Sequence, residues 1–152
     1  MSELAFEPIN RAFADPRVFH WVKAGLFEFV DQVFGWDDDD QKQRMQDEYE
    51  AGWFYWATLN NAPIGLVAHK PYVKNDQDYL HLHLLLVAPE NQGKGLGKQI
   101  LQGVHELARE QQRGVTLSVF RLNQRALQLY LDTGYQVTSE EPDFLLLENP
   151  AP

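Results

Sequence analysis

The run from Leu80 to Gly97, LHLHLLLVAPENQGKGLG, constrains this chain more than any other stretch. A β-prone apolar run passes through a glycine-rich turn straight into a helical pattern. A helix start leaves backbone N–H groups without intrahelical partners and carries a partial positive charge. The order strand, turn, helix therefore builds an anion site suited to a phosphate or diphosphate. Gly93, Gly95 and Gly97 let the backbone approach such a ligand and adopt positive φ where the turn needs it. Two other phosphate loops do not fit. A dinucleotide fingerprint needs glycine at its sixth position, where Lys98 stands when counting from Gly93. A Walker A loop needs Ser or Thr after Gly97-Lys98 and glycine five residues before Gly97, but Gln99 and Gln92 occupy those places.

What does fit is Gln92-Gly93-Lys94-Gly95-Leu96-Gly97, a Q-x-x-G-x-G pattern between a strand and a helix. It resembles the acyl-CoA loop of the GNAT superfamily of N-acetyltransferases. A second match follows in the family's order and at its distance: a strand-like Val115–Phe120, then Asn123-Gln124-Arg125-Ala126-Leu127-Gln128-Leu129-Tyr130, then Gly134-Tyr135. This looks like the family's N-x-x-A-x-x-L-Y signature and its Gly-aromatic pair. The resemblance covers the final half of the chain, from about residue 64. In the first third it rests on Gly35-Trp36-Asp37 and Gln41, similar to a G-W-D element of some GNAT proteins.

The 152 residues suit one domain, here read as a single N-acetyltransferase domain over 1–152, and 44% hydrophobic with 23% charged residues describe a chain that folds unaided. Without cysteine there is no disulfide framework, thiol nucleophile or thiolate metal site. No leader-like N-terminus and no apolar run of about 18 residues is present, which points to a cytoplasmic protein with no membrane partner. A net charge of -9 argues against nucleic acid as a partner. Most of the acidic excess lies in residues 1–79, where it would attract a cationic amine if that half covers the acceptor, though such surfaces also serve solubility.

The elements read as a first strand over Leu4–Ile9 and a helix capped by Asp15, with Pro16 first and Gly35 as its end. A second helix opens at Asp37–Asp40, with Met45, Tyr49 and Gln41 inward. Trp53–Leu59 and Ile64–His69 form a hairpin around Asn60–Pro63, and Tyr72–Asp78 reads as a loop. A strand over Tyr79–Val87, an amphipathic helix over Lys98–Gln111, strand 115–120, helix 123–132 and strands near Tyr135–Thr138 and Phe144–Glu148 follow. The sum is an α/β fold with helices on both faces of a mixed sheet. The resemblance implies a mostly antiparallel sheet splayed between two central parallel strands, those ending at Val87 and Phe120.

The resemblance also implies a site. Acetyl-CoA, the acyl donor, would lie where those strands part, with backbone groups of Leu86 and Val87 on its pantetheine arm and an N–H near Val87 polarising the thioester carbonyl. Backbone amides of Gln92, Gly93, Lys94, Gly95, Leu96 and Gly97 would take the diphosphate, and Lys98 would add charge at the rim. Tyr130 stands where the family's general acid sits, and a tyrosine packed in a helix core is the plainer reading. Asn123 matches an asparagine that both caps the helix and meets the cofactor, and either role fits. His81 falls where some relatives carry a glutamate base. A histidine could serve, and His83, on the same side of the strand, is the second candidate; a structural pair is the alternative. A His-x-His pair with no third ligand does not make a metal site. Trp36, Trp53, Tyr55 and Trp56, with Asp37–Asp40, would either wall an amine pocket or be core and a solvated helix start.

Two functions are compatible with these residues: acetyl transfer to a primary amine of a small molecule or peptide, and a non-catalytic acyl-CoA sensing module that keeps the loop without turnover. Closing strands often pair copies in this family, which leaves a homodimer open.

Overall fold

The computed structural model describes residues 3–150; residues 1, 2, 151 and 152, the ends of the expected domain, lie outside it. Seven strands, β1 (Leu4–Pro8), β2 (Phe54–Leu59), β3 (Ala62–Lys74), β4 (Gln77–Val87), β5 (Gly114–Phe120), β6 (Gln136–Glu140) and β7 (Phe144–Asn149), form a sheet in the order β1-β2-β3-β4-β5-β7-β6. The helices are α1 (Pro16–Val33), α2 (Asp38–Glu48), α3 (Leu96–Glu110) and α4 (Gln124–Asp132). β1–β2, β2–β3, β5–β7 and β6–β7 are antiparallel; β4 and β5 run parallel, from Tyr79 beside Gly114 to Leu82 beside Leu117. The parallel step needs a crossover, which α3 supplies. The mixed, mostly antiparallel α/β sheet expected from the sequence is thus present.

The chain divides into two compact units, residues 1–68 with 84–100, and residues 69–83 with 101–152. In the first, the side chain of Asp15 accepts the Arg17 N–H at 2.9 Å and opens α1, while Gly35, at φ +80, follows its end. Asp37 accepts the Asp40 N–H at 2.9 Å and opens α2. The core of this unit gathers Val18, Trp21, Phe54, Trp56, Leu66, Leu84 and Leu86. Trp21 meets Trp56 edge-on at 5.2 Å. In the second unit Leu80, Leu82, Leu101, Val104, Val115, Leu117 and Leu147 are buried.

Boundaries differ from the sequence reading at several places. The first hairpin turns at Asn60 and Asn61 alone, because Ala62 and Pro63 already pair with Leu59 and Thr58 as the start of β3. The stretch Tyr72–Asp78 is not a loop: β3 continues to Lys74, β4 starts at Gln77, and only Asn75 and Asp76 turn, at φ +52 and +63. Asn and Asp tolerate that region, so a polar stretch folds as a tight hairpin. Helix α3 also begins two residues early, at Leu96, because buried Leu96 anchors the first turn. Among the described residues no helix is long and apolar enough to cross a membrane.

Candidate active site

The glycine-rich turn lies in the first unit. β4 ends at Val87, a 3-10 turn spans Pro89–Asn91, and Gln92 to Gly95 lead exposed into α3. Gly93 and Gly95 hold φ of +81 and +74, and a Cβ on either would touch nothing within 4 Å. Glycine is needed there for backbone conformation, since a side chain would have room but not the dihedral. Gly97 has no positive φ; its added Cβ would sit 3.6 Å from Val87, in ordinary contact. The loop is tied back to the strand by Gln92, whose Nε2 donates to the Val87 carbonyl at 3.3 Å. Lys94 and Lys98 are exposed beside it.

Leu86 is fixed from two sides by glycines that the sequence reading passed over. A Cβ on Gly65 of β3 would fall 2.5 Å from the Leu86 carbonyl oxygen, and one on Gly25 of α1 would fall 2.6 Å from the Leu86 side chain. A glycine inside a strand is itself a sign of close backbone approach, so Gly65 carried a readable signal; Gly25, inside a helix, did not. The neighbouring Ala88 N–H donates to the Ile64 carbonyl at 2.8 Å, holding the strand end to β3.

The other sequence candidates lie in the second unit. Asn123 caps α4: its Oδ1 accepts the Ala126 N–H at 3.2 Å. Tyr130 follows on that helix and is buried; burial pushes its phenol up to about 12. Among the described residues its hydroxyl has no hydrogen-bond partner. Gly134, at φ +98, ends the helix, and the Tyr135 N–H returns to the Tyr130 carbonyl at 3.1 Å, bringing the two rings within 5.5 Å. That is the physical content of the Gly-aromatic pair. The Tyr135 hydroxyl in turn lies 2.7 Å from His105 Nε2.

His81 and His83 share one face of β4, with ring centroids 4.5 Å apart. Nδ1 of His81 lies 2.7 Å from the Thr116 hydroxyl on β5. Thr116 is the buried partner that sequence reasoning missed, because the parallel register that sets His81 beside Thr116 cannot be read from either strand alone. Burial lowers His81 below the ordinary histidine value, with Lys70 adding to it. Burial, then His81, Lys70 and His69, bring His83 down to about 4. Both rings are therefore held neutral near pH 7. Among the described residues no group of three or more His, Cys, Asp or Glu is placed to hold a metal ion.

The remaining aromatic and acidic candidates form local structure in the first unit. Trp36 packs against Phe27 and Phe19 and donates to Asp38 at 2.6 Å, while Lys23 pairs with the same carboxylate. These contacts, the indole donor first, hold Asp38 below its ordinary range. Trp53 lies against Tyr49, and Trp56 carries the Arg17 guanidinium over its ring.

A model of the Acetyltransferase (GNAT) family matches residues 16–135, most of the chain and parts of both units. The chain belongs to that family. The N-acetyltransferase 8F1 of Rattus norvegicus is 34% identical over 93 residues, which are 59% of this chain and 42% of the rat protein. The match thus spans less than half of that relative's length. Among solved structures, a Pyrococcus horikoshii protein superposes with a TM-score of 0.74 at 16% identity, covering 99% of each chain. The PaiA N-acetyltransferase of Thermoplasma acidophilum, solved with coenzyme A, gives 0.68 at 15% identity, covering 97% of this chain and 99% of that one. At these identities the likeness speaks for the GNAT fold.

Proposed function

We propose that the whole chain works as one acetyl-CoA-dependent N-acetyltransferase domain, passing the acetyl group from the thioester directly to a primary amine. The observation that carries this reading is the loop: two positive-φ glycines between the end of β4 and the first turn of α3, where an added Cβ would meet nothing within 4 Å. Backbone N–H groups over Gln92–Gly97 would take the diphosphate, Lys98 would add charge at the rim, and Leu86 and Val87 would pair with the pantetheine arm. Family membership, the coenzyme A bound to the Thermoplasma relative and the name of the rat relative support it.

The amine nitrogen forms a bond to the carbonyl carbon, the carbon–sulfur bond breaks, and the sulfur leaves as a thiolate that takes its proton from solvent after release. The ammonium proton leaves to a base. His81 is the first choice, its Nδ1 engaged by Thr116 so that Nε2 would be the working nitrogen; His83 is the second. Rings held neutral accept a proton at pH 7, though a depressed pKa makes them weak bases and favours amines that arrive partly neutral. Tyr130 would donate to the departing sulfur. Complete transfer from a phenol near 12 to a thiolate of ordinary basicity, about 8.5, is uphill, so its contribution is a hydrogen bond that strengthens as charge develops. Asn123 would meet the cofactor in addition to capping α4.

The acceptor class we favour is a small molecule bearing a primary amine, followed by a peptide N-terminus or lysine. One observation favours the second reading, an acyl-CoA sensor without turnover: position 81 holds a histidine of lowered pKa where some relatives carry a glutamate. Free-thiol release across a panel of amines, amino acids and basic peptides, run beside a thermal-shift titration with acetyl-CoA, separates them. Turnover with any acceptor supports the enzyme, a thermal shift with no turnover across the panel supports the sensor, and the absence of both shift and turnover overturns the loop assignment.

A further inference from the structure

We propose that the second unit carries an additional binding site, for a small oxyanion, in a cavity of about 200 Å³ between the last turn of α3 and the start of β5. His105, Arg109, Arg113 and Asn149 bring polar groups to it, and Ala108 and Gly114, both buried, leave the space. None of these residues belongs to the Gln92–Gly97 loop or to the histidine pair on β4.

The charge arrangement is the main argument. The chain has 22 acidic against 13 basic residues, yet among the described residues neither Arg109 nor Arg113 is in an ion pair. Two guanidiniums line one cavity to which, among the described residues, no carboxylate side chain contributes, and this leaves a site of positive charge in an otherwise acidic protein. Capping α3 is not the task that occupies them. Its last carbonyls already accept backbone N–H groups: Ala108 from Arg113 at 2.8 Å, Arg109 from Gln112 at 3.0 Å. Arg113 is also oriented in advance, because its Nη1 donates to the Tyr79 carbonyl at 3.1 Å and leaves the rest of the fork free. A fixed guanidinium fork matches the paired oxygens of a phosphate or carboxylate. His105 has Nε2 committed to the Tyr135 hydroxyl at 2.7 Å, which fixes the ring at the cavity wall. The volume equals that of roughly six or seven waters, room for a phosphate- or carboxylate-sized head with part of its hydration shell.

The test is nitrogen- and carbon-detected NMR of the full chain, following the arginine Nε–H and His105 ring signals. Inorganic phosphate and succinate are titrated separately, with sodium chloride holding ionic strength constant. Saturable shifts of Arg109, Arg113 and His105 at millimolar phosphate or succinate are expected, and the arm that saturates assigns the oxyanion as phosphate or carboxylate. Arg109→Gln should weaken binding at least tenfold without changing the melting temperature in oxyanion-free buffer, because Arg109 is exposed; Arg109→Lys should recover part of it. Arg113→Gln should weaken binding similarly, but it also removes the Tyr79 contact, so Arg109→Gln decides. Shifts that grow linearly in both arms, shifts that chloride reproduces, or unchanged affinity in Arg109→Gln would each overturn the site.

Discussion

The turn from Gln92 to Gly95 is exposed and owes its shape to backbone dihedrals, φ +81 at Gly93 and +74 at Gly95, whereas His81 and His83, earlier in the chain on β4, are half-buried and owe their state to neighbours. A site made of N–H groups needs the right backbone and little else, so its signal is compressed into a few consecutive residues. A site made of side-chain bases depends on what surrounds each ring, and those surroundings arrive from Thr116, Lys70 and His69. The first kind of site is local in sequence; the second is assembled by the sheet.

The largest expected effect breaks the backbone side of this comparison. Gly95→Val places a β-branched residue at φ +74, where strain costs about 1–3 kcal/mol unless the turn rearranges. Acetyl-CoA affinity, measured by calorimetry, should fall about a hundredfold, while the melting temperature changes little because the loop is exposed. Undiminished affinity would mean that the loop's backbone does not bind the cofactor.

Tyr130→Phe addresses the side-chain half. An enzyme using this hydroxyl should lose about a hundredfold in kcat with acetyl-CoA affinity preserved. An unchanged kcat would remove Tyr130 from the chemistry.

A pH series sharpens the contrast further. His83 titrates near 4 in the folded chain against 6.5 when unfolded, so the unfolded state takes up a proton first as pH falls. Stability is therefore full above about pH 6.5 and declines towards pH 4, with His69, His81 and His105 acting in the same direction. Discounted for a half-buried ring, His83 alone accounts for about 1–2 kcal/mol of that decline. His83→Asn should flatten the slope in urea denaturation between pH 7 and pH 5; an identical slope would show that His83 is not held neutral by the fold.

The smallest effect belongs to a residue with a place on both sides. Asn123→Ala should cost about 1 kcal/mol through loss of the cap, whereas Asn123→Ser keeps a capping oxygen. If Asn123→Ser keeps stability but loses acetyl-CoA affinity, the asparagine serves the cofactor as well as the helix.

Much of the fold could be read from the chain because its punctuation is local. Asp15-Pro16, Asp37 and Asn123 start helices through their own side chains, and Gly35 and Gly134 end them through φ. Local signals are weaker at Tyr72–Asp78, where polarity argues for a loop while pairing makes a hairpin, and at the start of α3, where burial of Leu96 extends the helix. In the candidate site, the loop could be read as a motif and the strand glycine Gly65 as a sign of close backbone approach, but the approach of the helical Gly25 to Leu86 could not be. Neither could the Thr116 partner of His81 or the His105–Tyr135 contact, since each joins residues at least 30 positions apart.

The sequence by itself determined the order of elements, the glycines that permit the turn and the family to which the chain belongs, because each is written in short runs of neighbouring residues. Tertiary structure alone decided the register of β4 on β5, the neutral state of both histidines, the raised phenol of Tyr130 and the gathering of Arg109 and Arg113 around one cavity. Desolvation and charge–charge interaction act through space, and only the folded chain brings those residues within reach of one another.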